Sequence, residues 1–140
     1  MPQDYQRAGE AFEAFLRDAM DELGHATRNQ TYTTVQGVLL TFRRRLTVQD
    51  GLRFANALPP LLRAMFVADW TVEEPVAFGP REAMAREVQD LRRDHNFAPR
   101  SAIADVARAL RRHVDATRFD AALRTLPDGA VAFWSGEEGT

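Results

Sequence analysis

The sequence predicts an all-α fold, a compact bundle of about seven or eight helices built from two pseudo-symmetric repeats, on three observations. Apolar residues recur at three- and four-residue steps in one window after another. No segment alternates between hairpin turns as a strand would, although Thr31 to Val35 has some β-branched bias. A single shift of 68 positions lays the second half of the chain on the first.

The first helix is predicted from Gln6 to Leu23, where Phe12, Phe15, Leu16, Met20 and Leu23 share a face and Gly24 ends the run. A second spans Thr31 to Leu46 through Val35, Val38, Leu39 and Phe42, with Arg43, Arg44 and Arg45 suited to the negative pole of its dipole. Thr47, with Asp50 three residues later, caps a short third helix carrying Leu52, Phe54, Ala55 and Leu58. Pro59 and Pro60 lack an amide hydrogen and suit the first turn of a fourth, through Leu61, Leu62, Met65 and Phe66 towards Trp70. Thr71 to Pro80 has no helical period and reads as a linker. Helices follow from Arg81 to Arg93, through Met84, Val88 and Leu91, and from Ser101 to Val114, through Ile103, Val106, Ala107 and Leu110. Asp115 or Thr117 caps a seventh with Phe119, Ala122, Leu123 and Leu126. Pro127 opens a last apolar segment ending at Phe133 and Trp134, and the glycine-rich, acidic stretch 135–140 is expected to be a flexible tail.

The 68-residue shift holds without a gap from Leu16 to Pro59. It sets Leu16 on Met84, Val35 on Ile103, Val38 on Val106, Phe42 on Leu110 and Leu46 on Val114, so apolar character persists where identity does not. Arg43 and Arg44 fall on Arg111 and Arg112, and Leu58-Pro59 on Leu126-Pro127, each Leu-Pro being followed by a tryptophan, Trp70 or Trp134. The expected organisation is one domain over 1–140 with repeats over about 12–70 and 80–134.

At 140 residues one packed core is expected. The chain has no cysteine, which excludes disulfides, thiolate metal sites and cysteine nucleophiles. No apolar run approaches the ~20 residues of a membrane span, and the first ten residues lack a secretory signal, so a cytoplasmic protein is expected. The net charge of −2 gives no global attraction to nucleic acid. All eighteen basic residues are arginine, a residue that pairs bidentately with carboxylate and phosphate, although a GC-rich coding sequence produces the same bias.

Phe15-Leu16, Val38-Leu39, Arg45-Leu46, Leu58-Pro59 and Trp70, then Glu82, Val88, Leu110, Leu126-Pro127 and Trp134, carry a resemblance. In that order, from about Phe12 to Trp134, the chain resembles the domain-of-unknown-function family 2267. The second repeat departs from the Arg-Leu element, having His113-Val114. The resemblance implies a small bacterial helical protein and supplies no activity, substrate or catalytic residue.

Glu22 and His25 have the Glu-x-x-His spacing of carboxylate-bridged di-iron bundles, but the shift places Asp90 and Arg93 opposite them, which removes the second ligand pair. His95 and His113 read as surface or capping residues. There is no Gly-x-Ser-x-Gly elbow and no phosphate-binding glycine loop, so no catalytic residue, metal ligand or cofactor is assigned and the chain reads as a non-enzyme. Candidate interaction residues are Arg43, Arg44, Arg45, Arg111 and Arg112, which could form twin basic patches, and Trp70 and Trp134. For the tryptophans packing is the favoured role, with the indole nitrogen finding a partner at the rim of the core. The functional expectation is a protein-interaction or regulatory module with a protein partner or self-association. The alternative is a nucleic-acid or anionic-ligand binder using the paired arginines, and a small-ligand site would need a cavity, expected at the junction of the halves.

Overall fold

The computed structural model describes residues 2–91 and 98–137, and these form eight helices and no strand. They are α1 (Pro2–Leu23), α2 (Arg28–Arg43), α3 (Val48–Asn56), α4 (Pro60–Val67), α5 (Arg81–Asp90), α6 (Ala102–Arg111), α7 (Ala116–Arg124) and α8 (Ala130–Phe133). The all-α class follows from the sequence periodicity as expected. Arg92, Arg93 and His95 lie outside the described residues.

Local chemistry sets the boundaries. Gly24 takes φ 69° just beyond α1, the left-handed conformation that glycine adopts at little cost. Helix α2 starts earlier than the periodicity suggests, because Thr27 and Gln30 form a reciprocal capping box. It also stops earlier: Arg45 and Leu46 donate their amides to the carbonyls of Phe42 and Arg43, tightening the chain into a turn. Thr47 accepts from the Asp50 amide at α3, as its spacing predicts, and Asp115 rather than Thr117 accepts from the Arg118 amide at α7.

Helix α1 packs most extensively on α6, and α5 packs on α2. Helices α2 and α6 also touch, as do α3 and α7, while α4 sits on α3 and α8 on α7. Small residues permit these approaches: a Cβ on Gly37 of α2 would sit 3.3 Å from Val88 of α5, and α6 buries four alanines. The core centres on aromatic rings. Trp134 is fully buried, stacked on Phe54 with centroids 5.4 Å apart, and meets Phe42 and Phe119 edge-on.

Three expectations are revised by this packing. The stretch 71–80 is non-helical but not a bare linker: Val76 donates its amide to the Arg44 carbonyl, and Phe78 packs against Phe42 and Phe133. The supposed tail is anchored where it begins, since Gly136 is buried and its carbonyl accepts from Arg108 at 2.7 Å. Residues 138–140 lie outside the described residues. Leu91, expected on a buried stripe, is 38% exposed.

Candidate functional site

The candidate arginines cluster where α2 and α6 end, and each guanidinium has acceptors within the chain. Arg43 donates from Nη1 to the carbonyls of Phe66 at 2.9 Å and Ala68 at 3.0 Å, and lies over the Trp70 ring. It thereby satisfies carbonyls at the end of α4 that have no helical partner. Burial holds its pKa below the ordinary arginine range, a shift countered only in part by Asp69. Arg111 behaves alike at the end of α6: its Nε donates to the Trp134 carbonyl at 2.7 Å, its Nη2 lies 3.0 Å from Asp120, and it covers the Phe119 ring.

Arg45 is 5% exposed and grips Glu87 of α5 with both terminal nitrogens, at 2.9 and 2.7 Å, while also donating to the Thr41 carbonyl. Arg44 pairs with the same carboxylate at 2.5 Å. Burial raises the Glu87 pKa, but the hydrogen bonds and charge of Arg45 and Arg44 outweigh it and hold the carboxyl below its ordinary value. Arg112 reaches Glu22 of α1 at 2.6 Å, and Arg108 reaches its other oxygen at 3.1 Å. Hydrogen bonds from Arg112 first and Arg108 second keep Glu22 below the ordinary carboxylate range.

These pairings dissolve the Glu22–His25 motif. Glu22 is turned to Arg112 and Arg108, whereas the His25 ring bonds Thr34 Oγ1 at 2.9 Å. Among the described residues no group of three His, Asp or Glu is placed to hold a metal ion. His113 is no surface histidine: its Nε2 lies 2.6 Å from Asp18 of α1, and its ring meets Phe15 edge-on.

The two tryptophans part company. Trp134 is wholly enclosed, so its ring is a core element unavailable to a partner, and its Nε1 has no hydrogen-bond partner among the described residues, contrary to the expectation of one at the rim. Trp70 is half-buried, capped by Arg43 and set against Gly51, whose missing side chain makes room for the indole.

Among the described residues, three surface grooves bear on these candidates. One of about 280 Å³ beside Trp70 carries Arg43 and Arg44 together with Asp69, Glu73 and Glu74, so acids offset its basic residues. A second, shallow and largely apolar, runs between α1 and α4 past Tyr5, Phe12 and Leu61. The third, about 400 Å³, lies between α5 and α6 with Arg81, Arg86 and Arg100 around it. It lies within the second half of the chain and not at the junction of the halves. Sequence reasoning singled out neither of the last two, because each joins residues of separate helices.

No described helix is long and apolar enough to cross a membrane. No curated protein matches the chain. A family model described as an uncharacterized conserved protein matches residues 12–133, almost the span over which the ordered motifs were found. This chain belongs to the DUF2267 family.

Proposed function

We propose that this chain is a non-catalytic helical interaction module of the bacterial cytoplasm, built by duplication, whose docking face is the groove between α1 and α4 and whose first partner is a second copy of itself. One observation carries the reading. Tyr5 is 77% exposed and Leu61 41% exposed across that groove, above half-buried Phe12. Exposed apolar residues scattered singly are ordinary, whereas two that line one groove with a half-buried ring between them suit a partner surface. The rim carries Glu10 and Arg17, with Glu13 already paired to Arg28, so a two-fold arrangement can set unlike charges opposite one another.

Duplication is supported by packing as well as by sequence. Helices α3 and α7 are both nine residues long and α2 and α6 end at Arg43 and Arg111, pairs that the 68-residue shift superposes. The first helix of each half packs on the second helix of the other, α1 on α6 and α5 on α2. The alternative, nucleic-acid or anion binding through Arg43, Arg44, Arg45, Arg111 and Arg112, has less support, because internal acceptors account for all five.

Light scattering across a sizing column, at rising protein concentration, tests the reading. The wild type should gain mass towards a dimer and Tyr5→Ser/Leu61→Ser should stay monomeric with an unchanged melting temperature. A wild-type monomer at all concentrations, or a dimer indifferent to the substitutions, contradicts it.

A further inference from the structure

Independently of the docking face, we infer that the groove between α5 and α6 is a binding site for a small organic polyanion, one bearing phosphate or carboxylate groups, clasped between Arg86 and Arg100. Most guanidiniums of this chain are tied to carboxylates or helix-end carbonyls, as at Arg28, Arg45, Arg63, Arg108 and Arg118. Arg86 on α5 and Arg100 just before α6 have no such acceptor among the described residues, and both line the same cavity.

Two guanidiniums without an acceptor among the described residues, one on each side of the groove, repel each other, and a doubly charged anion relieves that repulsion while taking fork-like hydrogen bonds from each. The rest of the lining suits this guest. Ala85 and Ala104 keep the floor shallow of side chains, leaving about 400 Å³, within the range of metabolite sites. Arg81 adds a third positive charge while held in place by the carbonyls of Phe133 and Ala132 at 3.2 and 2.6 Å. Ser101 turns its hydroxyl to Asp105 at 2.6 Å, so α6 begins at the edge of this groove without a side-chain cap. Glu82 is the one acid of the described lining. It stands one turn before Arg86 without forming an ion pair with it, so the groove retains a net positive charge on a chain whose overall charge is −2.

Titration calorimetry of the whole chain with pyrophosphate and with citrate, each against sodium chloride of equal ionic strength, tests the site. Saturable one-to-one binding of either anion is expected, weakened roughly tenfold or more by Arg86→Gln/Arg100→Gln, since each lost charge-assisted bond is worth about a decade in affinity. Glu82→Gln should tighten binding, and Arg7→Gln/Arg124→Gln, exposed arginines elsewhere, should leave it unchanged. Preference for pyrophosphate identifies a phosphorylated guest, and preference for citrate a polycarboxylate. No heat beyond the chloride control, full affinity in the Arg86/Arg100 variant at unchanged melting temperature, or binding of a short single-stranded RNA but of neither small anion overturns the inference.

Discussion

Glu87→Ala probes the link that holds α5 to α2. Among the described residues, the substitution removes the one carboxylate bound to Arg45 and leaves a guanidinium 5% exposed with the Thr41 carbonyl as its remaining hydrogen-bond acceptor. Breaking one side of a buried ion pair costs about 3–5 kcal/mol, because the other charge stays buried and uncompensated. The side chain of Glu87 is 23% exposed, so water can reach the vacated space and the lower figure, about 3 kcal/mol, applies. For a chain of this length that is a fall in melting temperature of roughly 10 °C. Arg45→Met/Glu87→Leu removes both charges and keeps the bulk, and should recover to within about 1 kcal/mol of the wild type, helped by eliminating the buried Arg45 Nε that has no acceptor. Thermal and urea unfolding of the three proteins would check this. A cost for Glu87→Ala under about 1 kcal/mol, the range of exposed pairs, or a double variant no more stable than the single one, would show that Arg45 and Glu87 do not act as a buried pair.

Further outcomes follow from single contacts. Gly129→Ala should destabilise by about 2 kcal/mol or more by thermal melting, because Gly129 has φ 103° and a Cβ there would fall 2.7 Å from Phe78 Cγ. Thr27→Ala should cost about 1 kcal/mol in urea unfolding, through loss of the α2 capping box. Acid should weaken the fold in two stages. Burial lowers the His25 pKa below its ordinary 6.5, partly offset by Asp105, so the neutral ring is favoured in the folded state and that stability fades as pH falls from 6.5. Glu22 and Glu87, both held below 4.5, contribute fully above that pH and lose their contribution as pH falls beneath it. Urea midpoints between pH 8 and pH 3 would show both stages, and His25→Gln should abolish the upper one.

The helices were legible because their signals are local. Thr47 with Asp50 and Asp115 before α7 announce their caps, and the apolar spacing of α1, α2 and α6 gives their buried faces. Thr27-x-x-Gln30 carried an equally local signal for the start of α2, which the first apolar residues overshadowed. What stayed hidden depends on residues distant in sequence. Phe78 lies in a stretch with no helical period, yet the rings of Phe42 and Phe133 receive it. The arginine runs at 43–45 and 111–112 look alike and basic on paper, and only tertiary packing reveals that Glu87, Glu22 and the carbonyls near Trp70 and Trp134 engage them. Conversely, Arg86 and Arg100 stood out in no motif, because what distinguishes them is the acceptor that each lacks among the described residues.

The arginines ending α2 and α6 act inside the fold, each closing the segment that carries a tryptophan. Thermal melting of Arg43→Gln/Arg111→Gln, with RNA and DNA filter binding on the same samples, tests this most directly. Loss of charge-assisted bonds to the Phe66, Ala68 and Trp134 carbonyls should cost about 3 kcal/mol and lower the melting temperature by roughly 10 °C, with no change in nucleic-acid retention. A melting temperature within about 1 °C of the wild type, with salt-sensitive nucleic-acid binding present before the substitutions and absent after, would contradict it.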